Sequence, residues 1–168
     1  MIHEVEGDLL LSRSHVIAHG VAPNDDFHTG LALSLRERWP AMYKDFRHYC
    51  QTQGPSPGEL WTWGGPGGLR IVSLFTQEGA GGHHGGKPGR AHLNHVGKCL
   101  RELHALAGKE KFTSIALPRL ATGVGRLDWA DVKPLIERHL GDLAIPVLVY
   151  AVFHAGVAAF EPLGESKP

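Results

Sequence analysis

Apolar and polar positions run through this chain in two rhythms. Short, largely apolar runs at 15–19, 69–75, 112–117 and 145–153 read as buried strands, with shorter candidates at 2–5 and 60–63. Between them the apolar residues fall three or four apart, the spacing of one helix face. Leu31, Leu35 and Trp39 mark a first helix that begins near Gly30, and Pro40 ends or bends it. Met42, Phe46 and Tyr49 or Cys50 mark a second, reaching Gln53. Leu93, Val96, Leu100, Leu103 and Ala107 mark a third, and Trp129, Val132, Ile136 and Leu140 a fourth. The runs at 60–63 and 69–75 flank Gly64-Gly65-Pro66-Gly67-Gly68 and so read as a hairpin. Trp61 and Trp63 stand two apart and therefore on one side of that hairpin, as core or sheet cover. Strands alternating with helices in the second half predict a three-layer α/β/α sandwich with a mixed, largely parallel central sheet. No repeat or linker interrupts the pattern, so the expectation is one domain over 1–160 with a tail over 161–168 that lacks order at its end.

The most informative stretch runs Pro118-Arg119-Leu120-Ala121-Thr122-Gly123-Val124-Gly125-Arg126-Leu127-Asp128-Trp129. It follows a strand and precedes a helix, with Asp128 placed to cap that helix. Backbone N–H groups at a strand's carboxyl end, beside a helix N-terminus, suit a phosphate. Gly123 and Gly125 let the backbone curl around such a group. An ordinary βα connection also favours glycine, so the loop by itself leaves both readings open. In sheets of this type ligands sit beyond the carboxyl ends of the strands, where this loop and the one after His19 would meet.

Composition narrows the classes. The chain has 168 residues, with 17 Lys plus Arg against 17 Asp plus Glu. That balance argues against a protein devoted to coating nucleic acid or an acidic membrane. The two cysteines, Cys50 and Cys99, stand far apart. This excludes a disulfide framework and a thiolate zinc site, and it fits a reducing cytoplasm. The first residues have neither a basic flank nor an apolar segment, so no signal peptide is expected. The apolar region 144–160 is broken by Pro146, His154 and Gly156, and so falls short of a membrane span of about 20 residues. Oligomeric state is unreadable, with monomer as the default.

Twelve histidines are unusual. His83, His84, His92 and His95 invite a metal, but they come with no HExxH motif and no carboxylate at ligand spacing, so no metal and no cofactor are expected. His15 and His19 share a strand face and read as a half-buried pair. The glycine- and histidine-rich stretch 79–89 is long enough to be a lid, and its Lys87 is a surface charge unless the loop folds inward. Arg36, Arg38, Lys44 and Arg47 read as solvated helix surface.

Four pieces of the sequence, in order, resemble a known family. They are Gly7-Asp8-Leu9; His19-Gly20-Val21 through Gly30-Leu31-Ala32; Leu74-Phe75-Thr76 followed by Lys87-Pro88; and Leu117-Pro118-Arg119 through Gly123 and on to Arg126-Leu127-Asp128-Trp129. The last is the most specific. Together they resemble the macrodomain, an ADP-ribose-binding module, in the branch of the terminal ADP-ribose protein glycohydrolase. The resemblance implies that Asp8 accepts a hydrogen bond from the adenine amino group and that Leu9 packs beside the base. Phe153 either stacks on adenine or belongs to the core. The diphosphate would lie on the backbone of Ala121, Thr122, Gly123 and Val124, which Arg119 and Leu120 lead into. Asn24, Asp25, Asp26 and Thr29 would lie near the distal ribose, and His19 and Gly30 join the ligand-binding set.

Two positions depart from the family. The hydrolase relatives carry a lysine after the Leu-x-Thr strand and an aspartate two residues after the loop glycine; this chain has Gln77 and Gly125 there. Gln77 has no amine with which to attack C1″ of the ribose, and Gly125 has no carboxylate to act as base, a loss typically worth ~10²–10⁴ in rate. The expectation is an enzyme that binds ADP-ribose and hydrolyses the mono-ADP-ribosyl ester of glutamate or aspartate in modified proteins by another route. Catalysis would rest on Asp25 or Asp26 as base, on the Gln77 and Gly125 positions, and on positioning of a water. The alternative is a reader that binds ADP-ribose and does no chemistry. ADP-ribosylated nucleic acid is a further partner class open to the same cradle.

Overall fold

The computed structural model describes residues 1–79 and 89–163. Six strands form one sheet: β1 (Ile2–Gly7), β2 (Val16–Val21), β3 (Leu60–Gly64), β4 (Arg70–Phe75), β5 (Ile115–Pro118) and β6 (Val147–Phe153). Their order across the sheet is β1-β6-β5-β2-β4-β3. Every pairing is parallel except the β3–β4 hairpin, which places an antiparallel strand at one edge. The four helices are α1 (Gly30–Arg38), α2 (Pro40–Gln53), α3 (Leu93–Lys109) and α4 (Trp129–Leu140). All four match the spacing of apolar residues in the sequence.

Alternation along β2 divides its side chains between two cores. Val16 and Ala18 face α3 and α4, joining Val96, Leu100, Leu103, Val132, Ile136 and Leu140. Val21 faces α1 and α2, where Phe27, Leu35, Met42, Phe46 and Phe75 pack. A strand covered on both faces reads as a continuous apolar run, which is what 15–19 looked like in the sequence. Pro40 both stops α1 and starts α2: Trp39 caps the end of the first and the beginning of the second. Proline tolerates that first helical position because the N–H it lacks has no helical partner there. Trp61 and Trp63 pack half-buried against the α2 cluster, and Trp63 donates through Nε1 to Asp45 at 2.9 Å.

Some details differ from the sequence reading. Leu93 starts α3 but is 39% exposed, and the buried stripe of the helix begins at Val96. Asp128 occupies the N-cap position of α4, yet its side chain makes no capping hydrogen bond. Three of the four basic residues placed on solvated helix surface make contacts: Arg38 lies 5.6 Å from the Trp39 ring centroid, and two others reach the loop after β2. Arg36 donates to the Asp26 carbonyl and lies 4.1 Å from the Tyr43 ring centroid, and Arg47 donates to the Asn24 carbonyl. The two guanidinium groups therefore anchor the loop that leaves β2. Among the described residues no helix is long and apolar enough to cross a membrane.

Glu161 lies in the segment that the sequence pattern assigns to the tail, yet it is buried. Its carboxylate accepts hydrogen bonds from the Arg13 N–H at 2.7 Å, from Tyr150 Oη at 2.8 Å, and from the hydroxyls of Ser12 and Ser14. Burial and the Glu161 charge both push the Tyr150 hydroxyl's pKa upward, so it stays a donor. Glu161→Ala strands the buried Tyr150 and Ser14 hydroxyls and removes the acceptor of the Arg13 N–H. It is expected to lower stability by about 3 kcal/mol, read as a lower urea midpoint at unchanged slope.

Candidate functional site

Two hollows open at the carboxyl ends of β2, β5 and β6. One is lined by Gly7, Asp8, Leu9, Leu10, Ser34, Tyr150, Phe153 and Ala155. The other is lined by His19, Gly20, Asp25, Thr29, Ala32, Gln77 and the turn from Pro118 to Gly125, Thr122 excepted. Gly30, Leu31 and Pro118 belong to both, so the two make one continuous cleft.

The middle of the cleft is a field of backbone donors. Among the described residues, no protein group accepts from the N–H groups of residues 121–125. The same holds for Gly30, Leu31 and Ala32 at the start of α1, whose N-cap residue Thr29 makes no side-chain cap bond. Unpaired N–H groups at a helix N-terminus attract anions through both hydrogen bonding and the helix dipole. Two such sets facing one cleft fit a diphosphate. The turn keeps its shape through its own contacts: Leu127 N–H donates to the Ala121 carbonyl at 2.9 Å, Arg126 N–H to Gly123 at 3.1 Å, and Thr122 Oγ1 to Arg119 at 2.8 Å. Ala121 and Arg126 take left-handed backbone angles, φ 61° and 64°, a conformation rarely adopted by residues with side chains.

The two loop glycines differ. A Cβ on Gly123 would meet nothing within 4 Å and would point into open space. A Cβ on Gly125 would lie 2.6 Å from the Ala121 carbonyl oxygen and 2.8 Å from the Ala91 Cβ. The Gly125 carbonyl also accepts from the Ala91 N–H at 3.1 Å. Gly125 is therefore a packing joint between the loop and the start of α3, and no side chain fits there.

At the outer end, Asp8 Oδ1 accepts from the Leu10 N–H and Oδ2 from the Gly156 N–H, each at 3.0 Å. The carboxylate is thus held rigidly at the edge of the hollow, with a second lone pair free on each oxygen. Leu9 is buried beside it, and Phe153 is 70% exposed. Of the two roles open to Phe153, the structure rules out the core and puts the ring on the cleft wall.

At the inner end, Asp25 is buried. Its oxygens accept from Ala22 N–H at 3.1 Å and Phe27 N–H at 2.9 Å, and burial raises its pKa above the usual aspartate value. Gln77 is also buried and donates through Nε2 to the Gly89 carbonyl at 3.1 Å. Asp26 and Asn24 do not line the cleft. The Asp26 carboxylate turns to His28, at 3.1 Å from Nδ1, and Asn24, at φ 59°, shapes the turn. Thr122 also lies outside the lining, its hydroxyl spent on the loop itself.

His92 and His95 both face Glu78, at 3.1 and 3.5 Å. Among the described residues no three His, Cys, Asp or Glu side chains gather as a metal-ligand set. His83, His84, Lys87 and the lid role of 79–89 fall wholly or mainly on residues outside those described. Tyr150, Ser34 and Ala155 line the cleft without having been singled out in the sequence; for Tyr150 the signal was its alternation with Val149 on β6.

A family model described as Macro domain matches residues 28–136. A DNA ADP-ribosyl transferase–DNA ADP-ribosyl glycohydrolase fusion protein of Thermosipho africanus is 26% identical over 157 residues, covering 87% of this chain and 40% of that protein. A DNA ADP-ribosyl glycohydrolase of Mycobacterium tuberculosis is 26% identical over 136 residues, covering 79% of this chain and 37% of that protein. The chain thus spans about two-fifths of the length of these curated relatives. Among solved structures, the macrodomain of Thermus aquaticus DarG superposes with a TM-score of 0.78 at 25% identity, covering 90% of this chain and 98% of that one. Thermosipho africanus DarTG in complex with ADP-ribose gives a TM-score of 0.78 at 22% identity, covering 92% of this chain and 42% of that one.

Gly123→Glu places a carboxylate in the open cleft without a protein clash. It is expected to leave the melting temperature unchanged and to abolish binding of a diphosphate ligand in calorimetry. Gly125→Ala is expected to do the reverse at first order, lowering stability by about 1–3 kcal/mol through overpacking, measured by urea unfolding.

Proposed function

The chain belongs to the Macro domain family, and from that premise we propose that it binds the ADP-ribose end of a modified macromolecule and hydrolyses the link to it. The observation that carries the reading is the double row of unpartnered backbone donors in the middle of the cleft, at residues 121–125 and 30–32. It lies between a hollow suited to a purine, with Asp8 and Phe153, and a narrow polar end with Asp25 and Gln77. The names of relatives that act on ADP-ribosylated DNA support hydrolysis as the reaction class.

The step does not need the family's lysine and aspartate. In an ester of glutamate or aspartate the leaving group is a carboxylate, which departs with the bonding electron pair and needs no proton. A water oxygen bonds to C1″, the C1″–O bond breaks, and the water's proton must go to a base. Asp25 fits that role: it lines the inner end, and burial makes it a stronger base than an exposed aspartate. Gln77 uses its amide nitrogen on Gly89, which holds the side chain at the inner end, where its carbonyl oxygen can orient the water. The fixed donors of the loop stabilise the diphosphate and hold the ribose in place, so that much of the rate comes from positioning.

A reader without turnover is the second reading. It is favoured by Gln77 at the lysine position and by Gly125, where no carboxylate fits. A nucleic-acid substrate, in which a nucleobase nitrogen would leave, is the third outcome of one assay. The purified protein is incubated with protein ADP-ribosylated on glutamate, with protein modified on serine or arginine, and with ADP-ribosylated DNA. Release from the glutamate ester is expected. Asp25→Asn should then lower the rate by roughly 10²–10⁴ while ADP-ribose still binds. Release from DNA alone moves the substrate to nucleic acid, and tight binding without any release makes the chain a reader.

A further inference from the structure

β6 ends at Phe153, and the chain then crosses the end of β1 as a strap, residues 154–163, that is neither helix nor strand. His154 N–H donates to the Gly7 carbonyl at 3.1 Å, and Asp8 N–H donates to the Val157 carbonyl at 2.7 Å. A Cβ on Gly7 would lie 2.8 Å from the Ala159 nitrogen, so the two backbones touch there. Most of the strap is open to solvent, with Val157 51% and Phe160 88% exposed. Its one buried residue is Glu161.

A buried charge is costly unless it is well hydrogen-bonded. Glu161 has four donors, from Ser12, Arg13 and Ser14 on one side and from Tyr150 on β6 on the other. Among the described residues no Lys, Arg or His side chain forms an ion pair with it. The carboxylate is thus a directional anchor, held by four short-range bonds rather than by an opposite charge.

Glu161 lines neither hollow of the cleft. What it reaches is the support of Asp8. The Asp8 carboxylate is aimed by two N–H groups, that of Leu10 on Oδ1 and that of Gly156 on Oδ2. Leu10 sits in the short turn Leu9–Leu11, which runs directly into Ser12, Arg13 and Ser14. Gly156 sits in the strap. Both segments that aim Asp8 are therefore tied down by the one Glu161 carboxylate. Tyr150 joins the two sites: its ring lines the outer hollow while its hydroxyl donates to Glu161. Burial, and after it Glu161 and Asp8, raise the pKa of that hydroxyl, so it stays a donor.

Resting on the ADP-ribose reading, we propose that Glu161 is a positioning residue for base recognition: without touching the ligand, it clamps the two segments that aim the Asp8 carboxylate and so sets the preference for an adenine amine.

The test compares ADP-ribose with inosine diphosphate ribose, in which a carbonyl replaces the adenine amine. Each is titrated by calorimetry into the full chain, well below the melting temperature of each variant. The unmodified protein is expected to prefer ADP-ribose by at least about tenfold, the scale of one hydrogen bond to a charged group. Glu161→Ala should weaken ADP-ribose, leave the inosine ligand within about twofold, and bring the ratio below about threefold. Ser12→Ala removes one of the four bonds and leaves the rest of the anchor in place, so it serves where the alanine variant at 161 fails to fold. It should lower the ratio at least about twofold. A purely structural role lowers both affinities together with the folded fraction, so an unchanged ratio in the variants that fold overturns the role of Glu161. Equal binding of the two ligands by the unmodified protein overturns it as well, and both outcomes leave the ADP-ribose reading intact. No heat and no competition with ADP-ribose in the unmodified protein overturns both.

Discussion

Backbone donors that the protein itself does not satisfy set the terms for this structure. A parallel strand must end in a turn, and the turn after β5 leaves the N–H groups of residues 121–125 without an acceptor among the described residues, all of them but Thr122 lining the cleft. The N-terminus of α1 does the same from the other wall. Water can occupy these groups in the free protein, but only an anion answers several at once. Much of the surrounding chain serves to keep the two rows apart and aimed at one space. Leu127 and Arg126 brace the turn, Arg36 and Arg47 pin the loop before α1, and Gly125 lets the turn rest against Ala91. The positive φ of Ala121 and Arg126 is backbone strain, which the same bracing sustains.

Much of this was legible in the sequence because it is local. The helices came from residues three and four apart, and the hairpin from its glycines. The turn after β5 came from a dozen consecutive residues whose strand and helix flanks define it. Phe153, by contrast, had two roles that sequence could not separate, since exposure is a property of the finished surface. Asp25 and Asp26 are neighbours with the same chemistry. One is buried in the cleft and the other faces His28, and only the backbone path between Asn24 and Phe27 decides which. Glu161 was read as tail because its partners lie at 12–14 and 150, and no spacing rule connects such distant positions.

The chemistry open to the inner end depends on the few polar groups that line it. Gln77 is held by the Gly89 carbonyl, and Gly125 packs against Ala121 and Ala91 with no room for a side chain. The neutral groups His19 and Gln77 and the buried carboxylate of Asp25 remain. That set can orient a ligand, and burial raises the pKa of its one carboxylate.

The outer hollow has a further consequence for how the chain is made. β1 pairs only with β6, and Asp8 is tied to Gly156 across 148 positions. During synthesis the first strand emerges long before the partner that closes the sheet edge, so β2, β4 and β5 can assemble while it waits. The outer hollow is thus completed last, from residues 7–10 at one end of the domain and 150–155 at the other. Contacts this distant in sequence slow folding and leave a strand edge open in the interval. For a polypeptide leaving the ribosome, the turn after β5 is already made while the wall carrying Asp8 and Phe153 is still unfinished, so the cleft is whole only at the final stage of the fold's completion.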